Sequence, residues 1–194
     1  VIGKAMGEDS GQAVTAHGDL ALCLLHLGRG DEALQIARQL RDSRLHLRGA
    51  ESPDAVWADG VLARIQIESG QAAQAVPFEE KRLASLQSAA GEAAVETLEV
   101  RNQLGVALLR AGNAGSAESL LRQNLQLATA HFPDSPVMRA KREEPLGEAL
   151  VALHREAEAR PLLQEAVGIF NSQLGPNNNQ TVQARKALDA LPST

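Results

Sequence analysis

Leucine recurs at a fixed interval along this chain. Leu20, Leu62, Leu104, Leu146 and Leu188 stand 42 residues apart. Ala33, Ala75, Ala117 and Ala159 keep the same step, as do Gly28, Gly70 and Gly112, with His154 in the fourth place. The column after leucine is small (Ala21, Ala63, Gly105, Gly147), and a further apolar column reads Ile36, Phe78, Leu120, Leu162. Columns held in phase over four units constrain the fold more than composition does. The chain must be a stack of similar units, none of which buries its apolar face alone.

Each unit reads as two helices. In the third, Val100, Leu104, Ala107, Leu108 and Ala111 fall on one helical face. Gly112-Asn113 breaks that helix, because glycine tolerates the left-handed conformation a tight helix end needs. A second helix carries Ala117, Leu120, Leu121, Leu125 and Ala128, and Phe132-Pro133-Asp134-Ser135-Pro136 ends the unit. The same logic predicts helices over 12–27 and 31–48, 54–69 and 72–90, 96–111 and 114–131, 137–153 and 156–173. A ninth, 179–190, reads as a cap with polar Gln183, Lys186 and Asp189. The expected organisation is a lead-in or linker over 1–11 and one domain over 12–194. Its units are 12–53, 54–95, 96–137 and 138–178, and its cap is 179–190. Pro77 and Pro161 share a column expected close to the start of each second helix. Pro145 is expected to kink its helix or to delay its start. The small columns are expected to let the helices of a pair approach closely.

Composition agrees with helices and excludes much else. Aromatic residues make up 2% of the 194, and there is no Tyr, which speaks against a sandwich or barrel. A single cysteine excludes a disulfide framework within the chain and a Cys-rich zinc site. The formal net charge of −5 argues against a nucleic-acid face. No run has the apolar length of a membrane span, so a cytoplasmic chain without membrane contact is expected. Without an initiator Met, the sequence reads as a piece of something longer.

Leu and Gly or Ala adjacent, Gly at the turn and Ala five residues later resemble the tetratricopeptide repeat. The usual unit of that family is 34 residues. The longer unit here resembles the kinesin-light-chain type, most closely at Glu96-Thr97-Leu98-Glu99-Val100-Arg101-Asn102-Gln103-Leu104-Gly105. The loops at Phe132–Pro136 and Leu174–Asn178 are similar to that type's inter-repeat loop, and the resemblance covers residues 12–191. It implies an all-α, right-handed superhelical solenoid of four helix pairs and a cap. It also implies a concave groove for a peptide or protein segment, no enzymatic activity and no cofactor. Bacterial chains of this family often sit in larger signalling proteins, which implies a regulatory or scaffolding part.

The resemblance places the groove on the first helix of each pair. It implies partner-binding roles for Trp57, Arg64 and Glu68 in the second unit and for Glu99, Asn102, Val106, Leu109 and Arg110 in the third. Lys141, Glu144 and Glu148 follow in the fourth, and Lys186 in the cap. Asn102 would hold a peptide backbone amide, or bond only water. Trp57 would anchor a partner or pack beside the first unit. Arg64 and Arg110 would clamp a carboxylate, or be ordinary solvated arginines. Unit two carries Gly60 where unit three has Asn102.

No catalytic or metal signature stands against this. Cys23 and His26 have a spacing that suits two metal ligands, but Cys23 shares a column with Ile65, Ala107 and Ala149 and is expected in the core. The five histidines match no metal motif. Glu143 and Glu144 are neighbours whose side chains point about 100° apart on a helix, so they do not face a common substrate. Two alternatives to peptide binding stand: a small-peptide sensor that switches an attached domain, and a homodimer formed through Leu22, Leu25, Ile67 and Leu109.

Overall fold

The computed structural model describes residues 11–50 and 52–192. Most of the expected lead-in lies outside the described residues. Within them the chain is all-α, with nine helices and no strand. They are α1 (Gly11–His26), α2 (Gly30–Arg48), α3 (Pro53–Glu68), α4 (Ala72–Ala90) and α5 (Val95–Arg110). They continue as α6 (Ala114–His131), α7 (Pro136–Ala152), α8 (Glu156–Leu174) and α9 (Asn179–Asp189). Every boundary lies within one residue of the expected one.

The turn columns show why. Gly28, Gly70 and Gly112 have φ of 74°, 78° and 85°, and His154 in the same column has φ 59°. At each, the amide of the residue that follows returns to a carbonyl five residues back. These bonds are Arg29 to Leu24 (2.9 Å), Gln71 to Gln66 (2.8 Å), Asn113 to Leu108 (2.8 Å) and Arg155 to Leu150 (2.9 Å). This is the left-handed helix cap in which glycine is favoured, and His154 adopts it without being glycine. Helix starts follow their own chemistry. Pro53 and Pro136 begin α3 and α7, where a missing N–H costs nothing. The Ser52 and Asn178 side chains accept from the Ala55 and Gln180 amides.

Two expectations about proline need correction. Pro77 and Pro161 lie six residues into α4 and α8, past the first turn, so each removes an interior helical bond. Both are exposed. Pro145 does not delay α7, which starts at Pro136 and runs unbroken to Ala152. Pro145 is buried, so the apolar ring contributes to the core in exchange for the lost donor.

The chain divides into two compact units, residues 1–79 and 80–194. In the first, Ala21, Leu24, Ala33, Leu34, Ala37, Val61 and Ile65 form the core, with Leu22, Leu25, Ile36 and Leu62 packed against it. In the second, Ala117, Leu121, Leu146, Ala149, Leu150, Ala159, Leu163 and Leu191 do the same, and Phe170 is buried with Ala140, Ala166 and Ala184. The small columns have the expected packing role. A Cβ added at Gly105 would sit 2.5 Å from Leu121 Cγ, and one at Gly147 would sit 2.7 Å from Leu163 Cγ.

The core reading of Cys23 is overturned: the thiol is exposed. Its column mates Ile65 and Ala149 are fully buried, Ile65 against α1 and α2 and Ala149 against α6. That column faces the preceding helix pair, and no described helix precedes α1.

Candidate functional site

In the first unit, α3 carries Trp57, Arg64 and Glu68. The Trp57 ring lies over Gly18 of α1, where a Cβ would collide with ring atom Cη2. The absent side chain makes the seat for the indole. Trp57 is nonetheless 38% exposed, so one edge packs on α1 and the rest faces solvent. Arg64 Nε donates to Glu68 Oε1 at 3.1 Å one turn along the same helix, and both side chains are largely exposed. That pair is weak, as exposed i,i+4 pairs are.

In the second unit, the expected residues fall on α5 and α7, and two ion pairs tie these helices together. Arg142 Nη2 donates to Glu99 Oε1 at 2.9 Å. Arg110 Nη2 donates to Glu148 Oε2 at 3.0 Å. Between them lie Asn102, half-buried, and Val106 and Leu109, also half-buried, the latter against the Leu146–Leu163 core. Lys141 is half-buried, and Lys186 in α9 is exposed. Glu99, Lys141 and Arg142 line an open pocket of about 380 Å³ with Ser135, Pro136, Val137, Met138 and Gln173.

Asn102 has a partner that sequence reasoning missed. Asn124 on α6 is fully buried. Its Nδ2 donates to the Leu98 carbonyl at 3.0 Å and lies 3.5 Å from Asn102 Oδ1. A carbonyl only accepts, so Asn124 must present its NH₂ there. That orientation turns the remaining proton toward Asn102, which answers with Oδ1. The NH₂ of Asn102 is thereby directed away from the core as a donor. Asn124 Oδ1 is buried with no hydrogen-bond partner, which costs stability. In the same column the other units carry Leu40, Arg82 and Ala166, so a buried asparagine occurs only where the groove residue is Asn102.

Glu144 and Glu143 face different surroundings, as their spacing requires. Burial, then the neighbouring Glu148 carboxylate, pushes Glu144 up to about 7, against the pull of Arg110. Burial, then Glu165, pushes Glu143 up to about 7, although Arg139 donates to it at 3.1 Å. Arg139 also pairs with Glu165. Two fully buried arginines were not foreseen either. Arg101 bonds the Glu92 carbonyl at 3.1 Å and pairs with the Glu92 carboxylate, and Arg142 bonds the Met138 carbonyl at 3.1 Å. The available signal was a charge in an apolar column: Arg142 follows Ala58 and Val100. Among the described residues no group of three or more His, Cys, Asp and Glu is placed to hold a metal. No described helix is long and apolar enough to cross a membrane.

Helix pairs repeated in register and closed by glycine-type caps define a helical-repeat solenoid. Family models described as tetratricopeptide repeat match residues 12–88 and 97–136. The chain belongs to the tetratricopeptide-repeat family. The fold is similar to that of a Podosopora anserina protein assigned to the kinesin light chains with nearly identical TPR-like repeats. The TM-score is 0.70 at 20% identity, over 93% of this chain and 85% of that one. A substituted form of that same protein gives 0.69 at 21% identity, over 91% and 83%. BtubC (BKLC) from P. vanneervenii gives 0.65 at 19% identity, over 86% and 66%. No curated protein matches the chain. Tetratricopeptide repeats are in general protein-interaction modules that bind proteins or peptides, and this fold family is a non-catalytic scaffold.

Proposed function

We propose that residues 12–194 act as one protein-interaction domain, and that the polar row on α5 and α7 binds an extended peptide or protein segment. The observation that carries this is the Asn102 amide, set by buried Asn124 so that its donor faces outward from a half-buried helix face. Arg110 and Glu148 flank it as a pair that a ligand carboxylate or ammonium can open. Val106 and Leu109 supply apolar contact beside the polar groups. Trp57, Arg64, Glu68, Glu99, Lys141, Glu144 and Lys186 extend the same proposal along the first helices and the cap. A regulatory role in a larger bacterial signalling protein rests on the family resemblance alone, and a cytoplasmic setting is part of the same proposal.

The test begins with peptides selected on the chain from a random display library. They are then titrated calorimetrically against the native chain and the Asn102→Ala, Arg110→Ala double variant. Binding should fall at least about tenfold while helicity and melting are kept, because two polar anchors typically carry that much. Undiminished affinity would remove the groove from the mechanism.

The sensor reading has one observation in its favour, the 380 Å³ pocket where Glu99, Lys141 and Arg142 converge. That volume is at the small end of ligand sites. Small-angle scattering that changes when a selected short peptide is added would favour it over simple docking.

A further inference from the structure

One face of α1 carries Ala16, Leu20 and Cys23, at helical spacing, and Leu27 continues it just past the helix end. Leu20 is 43% and Leu27 71% exposed, and Cys23 is exposed with them. The same columns in later units are covered. Ala58 is buried with Leu40 of α2, and Ile65 and Leu62 pack on the α1–α2 core. Leu146 and Ala149 pack with Ala117 and Leu121 of α6. In each case the second helix of the preceding pair supplies cover. The α1 face is therefore one side of a repeat interface whose other side is not among the described residues.

The sequence before α1 names the occupant. The inter-repeat loops run from a glycine to a helix N-cap three residues on: Gly49 to Ser52, Gly91 to Ala94, Gly175 to Asn178. Those glycines have φ of 81°, 90° and 90°. Each glycine directly follows a second helix, α2, α4 or α8. Gly7 and Ser10 stand in the same two columns, 42 residues before Gly49 and Ser52, and α1 begins at Gly11 as α3 begins at Pro53. Val1 and Ile2 fall in the columns of Ile169 and Phe170 of α8. The segment 1–10 thus has the sequence of a second-helix end followed by an inter-repeat loop.

We propose that the Ala16–Leu20–Cys23–Leu27 face is the docking surface for a further helix pair of this same repeat, encoded upstream of α1. This explains the exposed thiol: Cys23 occupies a core column of an interface whose covering helix lies upstream. The groove proposal does not enter, so either can fail alone.

Cys23 is the natural reporter. Its reaction with a disulfide reagent is compared in the chain starting at Val1 and in the natural polypeptide extended upstream by one repeat length, with sedimentation equilibrium on both. The expected result is a monomeric extended chain whose Cys23 reacts at least about tenfold more slowly, because a buried thiol is inert. Leu20→Glu should lower the melting midpoint of the extended chain and leave that of the shorter chain unchanged. Equal reaction rates, or an unshifted midpoint for the extended Leu20→Glu chain, would overturn the proposal. So would an upstream sequence without the two-helix pattern. Protection of Cys23 in the shorter chain that grows with concentration alongside a dimer would overturn it in favour of a second copy.

Discussion

His154 holds a backbone conformation that its three column mates reach as glycine. A side chain at φ 59° costs on the order of 1 kcal/mol, and the imidazole is almost wholly exposed, so it returns little in packing. His154→Gly should therefore raise stability by about 0.5–1 kcal/mol, read as a shift in urea midpoint at unchanged slope. Asn124 is the second residue whose role is specific. Asn124→Ala removes the group that orients Asn102, so the side-chain ¹⁵N order parameter of Asn102 should fall while its backbone amide is unmoved. A rigid Asn102 side chain in that variant would mean its neighbours on α5 hold it instead. The buried Asn124 Oδ1 without a partner indicates that this orientation is kept at some cost in stability.

At the scale of the helix pair, glycine is used for proximity rather than for flexibility. Gly105 and Gly147 sit inside helices, where alanine would ordinarily be preferred by about 1 kcal/mol. Here a Cβ would strike the branch carbon of Leu121 or Leu163, which has no free rotor to retreat. Gly105→Ala should thus destabilise by about 1–3 kcal/mol despite its better propensity, measured by thermal or urea unfolding. The α5–α7 junction in the same unit is tied at both ends by Glu99–Arg142 and Arg110–Glu148. The residues expected to meet a ligand are therefore also the ones that join neighbouring first helices, and a ligand that engages Arg110 competes with Glu148.

At the scale of the whole molecule, charge makes stability depend on pH in two windows of opposite sign. Glu143 and Glu144 are raised from 4.5 to about 7 on folding, so the native chain binds more protons than the unfolded one between those values. Their contribution is complete below pH 4.5 and is lost as pH rises through about 7. Glu32 and Glu158 are lowered by hydrogen bonds from Arg29 and Arg155, so theirs is present above 4.5 and is lost on acidification. Between about pH 5 and 8 the first pair should dominate, with a loss on the order of 2 kcal/mol. Glu143→Gln with Glu144→Gln should flatten that slope and raise the melting midpoint at about pH 8. A slope that survives both substitutions would place the titration elsewhere.

Sequence by itself determined the helix count, the boundaries and the family, because a 42-residue period repeats the same local instructions: a cap glycine, an apolar face, a small residue at the close approach. It even showed that His154 stands in a glycine column. Local rules suffice for features decided by neighbours in the chain. What only the tertiary structure decided lies between helices. Cys23 is exposed because burial of its column depends on a different helix pair, not on its own sequence. Trp57 lies on Gly18, and Asn102 is set by Asn124 22 residues away, through contacts that no single helix encodes. Glu99, Arg110 and Glu148 looked like free ligand groups on isolated helical faces. Stacking brings opposite charges within 3.0 Å, where pairing across the junction offsets the desolvation that close packing imposes.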